Sequence, residues 1–308
     1  MRLVFMGTPA FAVSSLRRLA ASSHQVVAVV TNPDRPRGRG RVMAPPPVKE
    51  VALELGLEVL QPAALDEPSL AGRLAGCQPD LFAVVAFSIL PRPLLELPRL
   101  GSVNLHPSLL PAYRGAAPII WAVIRGERET GLSTLLLNPR VDAGDLLLQE
   151  SVAIDPEETA GELEARLSPL GADLLLRTVD GLARGSIALQ RQDQSRVSRA
   201  PKLQKEDGRL DWNQPTEALR NLIRGANPMP GAFTEWEGGL LKVHRSRPAA
   251  HRGEPGTVLL ADPRQGLVVA TGDGALLLTE VQPAGKPPME GSAFVRGYPI
   301  QAGARLGR

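Results

Sequence analysis

Residues 79–107 read PDLFAVVAFSILPRPLLELPRLGSVNLHP. From Leu81 to Phe87 the chain is apolar at every position, without the polar-apolar alternation of a strand that keeps one face wet. That pattern belongs to a strand buried on both faces. A second strand, GSVNLH (101–106), follows after a proline-punctuated stretch. Upstream the theme repeats: RLVFM (2–6), QVVAVVT (25–31) and LEVLQP (57–62) read as strands. FAVSSLRRLAAS (11–22) and PPPVKEVALELG (45–56) read as helices between them, the latter with prolines ahead of its first turn. Continuous apolar strands alternating with helices predict an α/β domain with a doubly wound, mostly parallel sheet covered on both faces.

Downstream the pattern changes. GLSTLLLN (131–138) and GDLLLQESVAI (144–154) form a hairpin-type extension. The stretch 159–185 is an amphipathic helix with Leu163, Leu167, Leu170 and Leu174 on one face. From Ile187 to about Asp207 the chain is polar, basic and without periodicity, which predicts a linker. Beyond it, AFTEWEG, GLLKVHRSRP, GTVLLAD and GLVVATGDGALLLTEVQP are short strand patterns separated by Gly/Asp turns. They predict a small closed or partly open β-barrel, of which an OB-like five-stranded barrel is one form. The expected division is a catalytic domain at 1–188, a basic linker at 189–207 and a C-terminal barrel domain at 208–308.

Composition narrows the function classes. With 308 residues and 43% hydrophobic content the chain can bury a sizeable core. The single cysteine, Cys77, rules out a disulfide framework. No apolar run is long enough to span a bilayer, and the first strand begins at once without a signal-type segment, so a cytoplasmic location is expected. No heptad pattern or exposed edge strand is evident, and a monomer is expected. Net charge is only +3, but it is unevenly placed. Residues 31–49 carry Arg35, Arg37, Arg39, Arg41 and Lys49 against Asp34, and 184–205 carry six basic residues against Asp193. Two basic segments fit a polyanionic partner, with an ordinary solvated surface as the alternative.

The chemistry is concentrated around GSVNLHPSLLPAYRGAAPI (101–119). Asn104 and His106 are two residues apart on one strand, so their side chains share a face. Pro107 cannot donate to the ladder and ends the strand. Both groups therefore sit at the carboxyl end of a parallel strand, where open α/β sheets place their ligands. A histidine satisfied by a nearby backbone carbonyl is the plainer reading of His106 alone. Asp142, in NPRVDAGDLLLQ, is an acid that would orient an imidazole and favour its charged form, with Asp145 an equally acidic neighbour. The turn GTPAFA after the first strand lacks the G-x-G-x-x-G spacing and reads as a tight strand-to-helix turn. There is no P-loop, G-x-S-x-G elbow or paired-histidine metal motif, which disfavours nucleotide hydrolysis, serine hydrolysis and zinc chemistry.

These residues carry a resemblance. VNLHPSLLPAYRGAAPI together with VDAGDLL resembles the folate-dependent formyltransferase family. The similarity continues through VFMGTPAFAV, TNPDRPRGRG, KLQKEDGRLDW, IRGANPMPGAF, EPGTV and GDGALLLTEVQPAGK, covering nearly the whole chain. It implies a Rossmann-like catalytic domain, a linker and a C-terminal OB-like domain that binds tRNA. It also implies formyl transfer from 10-formyltetrahydrofolate to the methionine amine of charged initiator tRNA, with no metal. Asn104, His106 and Asp142 match the family's catalytic trio. Ser108, Leu109, Leu110 and Pro111 match its folate-binding loop, with Phe87, Ile89 and Leu90 as apolar candidates for the pterin pocket. Arg35, Arg37, Arg39 and Arg41 match the basic loop that engages the tRNA acceptor end. The chain departs from the family pattern at Pro107, at Met229 and at Gly225–Ala226. Two other readings remain: a formyltransferase acting on glycinamide ribonucleotide or a sugar-nucleotide amine, and a non-catalytic RNA-binding relic. The basic loop and the long tail are superfluous for a small acceptor, and the intact trio speaks against a relic.

Overall fold

The computed structural model describes residues 1–37, 42–237 and 239–307, which divide into two compact units. The first comprises Met1–Pro118, Glu129–Ala153 and Glu164–Ala200. The second takes the residues from Pro201 onward together with Ile119–Arg128 and Ile154–Leu163.

The strands of the first unit are β1 (Arg2–Gly7), β2 (Gln25–Val30), β3 (Arg35–Arg37), β4 (Val42–Ala44), β5 (Val59–Leu60), β6 (Leu81–Val85), β7 (Ser102–His106), β8 (Glu129–Leu136) and β9 (Leu146–Ala153). Seven of them form one sheet in the order β5-β2-β1-β6-β7-β8-β9. The pairs β1–β2, β1–β6, β2–β5 and β6–β7 are parallel; β7–β8 and β8–β9 are antiparallel. The chain winds outward from β1 in both directions, as the alternating apolar strands and helices predict. The hairpin expected downstream supplies the two antiparallel strands.

Leu3 to Met6 of β1 and Leu81, Phe82, Ala83 and Val85 of β6 have no exposed surface. Burying each large side chain contributes roughly 1.5–3 kcal/mol. One face of the sheet gathers Val4, Met6, Val30, Phe82 and Leu94 into a single cluster. The strand-to-helix turn after β1 is tight: a Cβ on Gly7 would lie 2.9 Å from Ala12 Cβ and from a Phe5 ring carbon.

Two stretches of this unit are more ordered than their sequence predicts. Part of the basic loop folds as a hairpin, β3 pairing with β4 from Arg35↔Ala44 to Arg37↔Val42. Part of the polar stretch after Ile187 is bonded into the unit. Gln190 pairs with Leu146, and Arg199 with Arg114. The order of this second stretch rests on hydrogen bonds to distant backbone, which leave no periodic pattern in sequence.

The second unit contains β10 (Ala232–Trp236), β11 (Gly239–Pro248), β12 (Val258–Asp262), β13 (Gly266–Ala270), β14 (Ala275–Pro283) and β15 (Met289–Glu290). They form an antiparallel, barrel-like sheet ordered β10-β11-β14-β13-β12, with β15 on β14. Among the described residues no ladder joins β12 to β10, so the barrel is partly open. Leu241, Val243, Leu267, Leu276 and Leu278 fill its interior with Trp212, Ile223 and Phe294. Three of the chain's few aromatic residues meet there: Phe294 stacks on Tyr298 at 4.7 Å, and Trp236 meets both edge-on. Met229, one of the departures noted above, is 68% exposed.

Candidate active site

Strand β7 carries the first two groups of the site. Asn104 lies in register between Val84 of β6 and Leu135 of β8, and His106 lies opposite Ser133. The strand ends at His106, before Pro107. Asn104 is half-buried, and among the described residues its amide has no hydrogen-bond partner. An amide held on a rigid strand with its N–H groups uncommitted is a preorganised donor.

His106 is buried, 4% exposed. Its Nε2 lies 2.9 Å from the Tyr113 carbonyl oxygen. A carbonyl only accepts, so Nε2 carries a proton and donates it there. Nδ1 faces Asp142 Oδ2 at 3.6 Å. Asp142 Oδ2 in turn accepts from the Gly115 backbone N–H at 2.8 Å. The imidazole is thus fixed by a backbone carbonyl on one side and faces a carboxylate on the other. The nearby backbone carbonyl expected for His106 is that of Tyr113, and Nδ1 is the ring nitrogen left facing a carboxylate.

Asp142 reaches this position at some conformational cost. Its φ of 48° is left-handed, a region that costs a non-glycine residue of order 1–3 kcal/mol and persists only where surroundings impose it. Two residues on, Gly144 is obligatory, because a Cβ there would lie 1.6 Å from the Leu136 carbonyl oxygen. Asp145, the alternative acid, has its carbonyl bonded to Leu136 N at 2.9 Å.

The loop after His106 is held from below. Ser133 Oγ donates to Ser108 O (2.6 Å) and accepts from Leu110 N (3.0 Å) and Gln149 Nε2 (2.8 Å). Gln149 Nε2 also donates to Leu110 O at 2.9 Å, and Ser108 Oγ donates to Ala112 O at 2.6 Å. Leu110 packs with Leu135 and Leu146, Pro111 is buried, and Leu109 is half-buried. A further layer involves Arg114, whose Nε and Nη2 both donate to Gln192 Oε1 (3.1 and 2.6 Å). Burial lowers the pKa of this guanidinium, and the Asp142 charge opposes that shift. A cleft of about 320 Å³ opens here, lined by Arg114, Asn138, Pro139, Arg140, Ala143 and Gln194.

The pterin-pocket candidates are spread apart. Leu90 is buried in the core cluster with Leu94 and Phe82, Ile89 is 73% exposed, and Phe87 is half-buried. Phe87 lines a separate cleft of about 460 Å³ with Asp34, Arg35 and Leu65. Arg35 is exposed, Arg37 ends β3, and Arg39 and Arg41 lie outside the described residues. Lys49, counted with the basic loop, bonds both Asp34 oxygens at 2.8 Å, and that bond holds the Asp34 carboxyl below its usual range. Sequence reading missed Ser133, Gln149 and Gln192. Ser133 and Gln149 stand among other polar residues of their strands, ETGLSTLL and LLLQESVA, so nothing in the pattern singled them out. Among the described residues no group of three or more His, Cys, Asp or Glu side chains is placed to hold a metal ion. No described helix is long and apolar enough to cross a membrane.

Comparison with known proteins adds to this geometry. Residues 1–179 match the formyl transferase family, and residues 202–299 match the formyl transferase C-terminal domain. The chain is 46% identical to the methionyl-tRNA formyltransferase of Citrifermentans bemidjiense, over 100% of this chain and 97% of that protein. It is 49% identical to the methionyl-tRNA formyltransferase of Moorella thermoacetica, over 100% of this chain and 99% of that one. Among solved structures, HypX from Aquifex aeolicus in complex with tetrahydrofolic acid aligns with a TM-score of 0.64 at 20% identity. That alignment covers 96% of this chain and 47% of HypX, so the chain spans about half of its length and the likeness concerns the fold alone.

Proposed function

The chain belongs to the formyl transferase family, and we propose that it formylates the amino group of methionyl-tRNA with 10-formyltetrahydrofolate as donor. The geometric observation that carries the chemistry is the Asn104 amide, without a hydrogen-bond partner among the described residues, two residues from a histidine whose Nδ1 faces Asp142. The acceptor is supported by the end-to-end similarity to methionyl-tRNA formyltransferases, which includes the C-terminal domain. In this reading 1–188 is the catalytic domain, 189–207 the basic connection and 208–308 the domain that docks tRNA. The enzyme acts as a monomer, in the cytoplasm, on the initiator species.

The nucleophile is the amine of an aminoacyl ester. An unperturbed α-amino group titrates at roughly 7.7–8.0, so a useful fraction is already neutral near pH 7. The greater demand is charge on the formyl oxygen as the amine adds to the carbonyl carbon. Asn104 Nδ2 donates to that oxygen. His106 acts beside Asn104 in a different way. Its Nε2–H is held by Tyr113 O, so its role is electrostatic and protonic, through the Nδ1 that faces Asp142. As the intermediate collapses, the bond from formyl carbon to folate N10 breaks and the new C–N bond remains. The amine loses one proton and N10 gains one, a transfer for which the His106–Asp142 pair is placed. The Ser108–Pro111 loop, pinned by Ser133 and Gln149, shapes the donor side.

The test is a formyl-transfer assay offering charged initiator methionyl-tRNA beside glycinamide ribonucleotide and an amino-sugar nucleotide. Turnover confined to the charged tRNA is expected. Preference for either small amine would move the enzyme to another branch of the family, and no transfer to any acceptor would leave an RNA-binding protein.

A further inference from the structure

The segment that reads as a bare linker places one side chain beneath the site. Gln192 is 7% exposed, and its amide is bonded at both ends. Nε2 donates to the Asp142 carbonyl at 2.8 Å and to the Gly144 carbonyl at 2.7 Å. Oε1 accepts from Nε and Nη2 of Arg114. The amide has only one sensible orientation, because two carbonyls require its nitrogen and a guanidinium requires its oxygen.

These bonds close a ring around the reacting groups. His106 donates to Tyr113 O; the next residue, Arg114, is held by Gln192; Gln192 holds Asp142 and Gly144 by their carbonyls. Gly115 N returns to the Asp142 carboxylate. Asp142 and Tyr113 are both left-handed residues of that ring, and the carbonyls gripped by Gln192 are those of Asp142 and Gly144. A backbone conformation of that kind survives only if its neighbours impose it. The site is too buried for water to take over the Gln192 bonds freely.

We propose that Gln192 is a positioning residue for formyl transfer, its carboxamide fixing the Asp142 loop against Arg114 so that the carboxylate faces His106. The proposal rests on the reading of Asp142 as a catalytic group. Gln192 touches neither substrate. It acts through the aim of Asp142, so its loss lowers the rate of chemistry more than the binding of either substrate.

The experiment is a double-mutant cycle on the full chain, with Gln192→Leu, Gln192→Glu, Asp142→Ala and the Gln192→Leu/Asp142→Ala pair. Circular dichroism and binding of 5-formyltetrahydrofolate give the folded fraction to which rates are normalised. Single-turnover rates and KM for both substrates are measured with charged initiator tRNA. The leucine variant is expected to lose kcat by about 10–100-fold, the range found when groups that orient ligating side chains are removed. Its KM values should stay within about twofold. The glutamate variant keeps an oxygen for Arg114 but sets its other oxygen against two carbonyls, and it should lose kcat similarly. In the Asp142→Ala background the leucine substitution should cost less than about twofold further, since there is no carboxylate left to aim.

Three results overturn the inference while leaving the proposed function standing: wild-type kcat in the leucine variant, wild-type kcat in the glutamate variant, or a leucine effect of equal size with and without Asp142. Undiminished turnover in Asp142→Ala alone would remove the premise as well, a separate and recognisable failure.

Discussion

Replacing Ser133 by alanine deletes one hydroxyl that serves three partners under the loop after His106. The Ser133 side chain is fully buried, and no solvent stands ready to replace it. Its loss takes from Leu110 N–H its acceptor at 3.0 Å and from Ser108 C=O its donor at 2.6 Å. Gln149 Nε2 keeps a second bond, to Leu110 O, and so is not orphaned. Each buried group left unpaired costs about 1–3 kcal/mol. Partial relief by Gln149 shifting toward Ser108 brings the total for two groups to about 3 kcal/mol. For a unit of this size that corresponds to a fall of about 6–12 °C in Tm. The same change loosens the Ser108–Pro111 loop, so affinity for the folate should fall alongside. The assay is differential scanning calorimetry with a parallel titration of 5-formyltetrahydrofolate. A variant that melts within about 2 °C of the parent and binds folate unchanged would refute the view that this hydroxyl holds the loop.

Asp80 accepts Arg2 N at 2.8 Å and Arg99 Nη2 at 2.9 Å, and its carboxyl is held below its ordinary range, chiefly by the Arg2 backbone bond. A depressed folded-state value gives stability that is fully present above the unfolded carboxylate range and is lost progressively as pH falls from there through the depressed value. Asp80→Asn should therefore cost about 1 kcal/mol at pH 7, and the Tm gap to the parent should close below about pH 4. Gly144→Ala places a methyl group against the Leu136 carbonyl. It should cost about 1–3 kcal/mol in a denaturant titration and displace Asp142, lowering kcat by more than tenfold in roughly the manner of overpacking beside a site. Removing Arg37, Arg39 and Arg41 together should lower the slope of log affinity for tRNA against log salt by about 2–3, at roughly 0.7–0.9 per phosphate contact, measured by fluorescence anisotropy. An unchanged slope would take those arginines out of the interface.

The sheet was legible because burial on both faces leaves runs such as LFAVV and RLVFM that nothing else explains. Asn104 and His106 were legible because a polar pair in such a run has few structural uses. A nearby carbonyl partner for His106 was foreseeable, but not which one, since the Tyr113 backbone that holds Nε2 leaves no mark in side-chain pattern. Gln192 was invisible for a related reason: it sits fifty residues from Asp142 in a stretch with no periodicity, and it bonds two backbone carbonyls and the side chain of the distant Arg114. The β3–β4 hairpin was masked by arginines, glycines and a proline that read as loop residues. The barrel announced itself through evenly spaced short strands, while the short helix Gly291–Gly297 that packs on it carries too little pattern to be read alone.

In the proposed mechanism an amide on β7 receives the charge that arrives on the formyl oxygen. Single-turnover formylation of charged initiator tRNA by Asn104→Ala, at saturating folate, tests it most directly. A rate about 10²–10³ below the parent with folate affinity preserved is expected, as for other lost oxyanion donors. A parental rate in that variant would contradict the account.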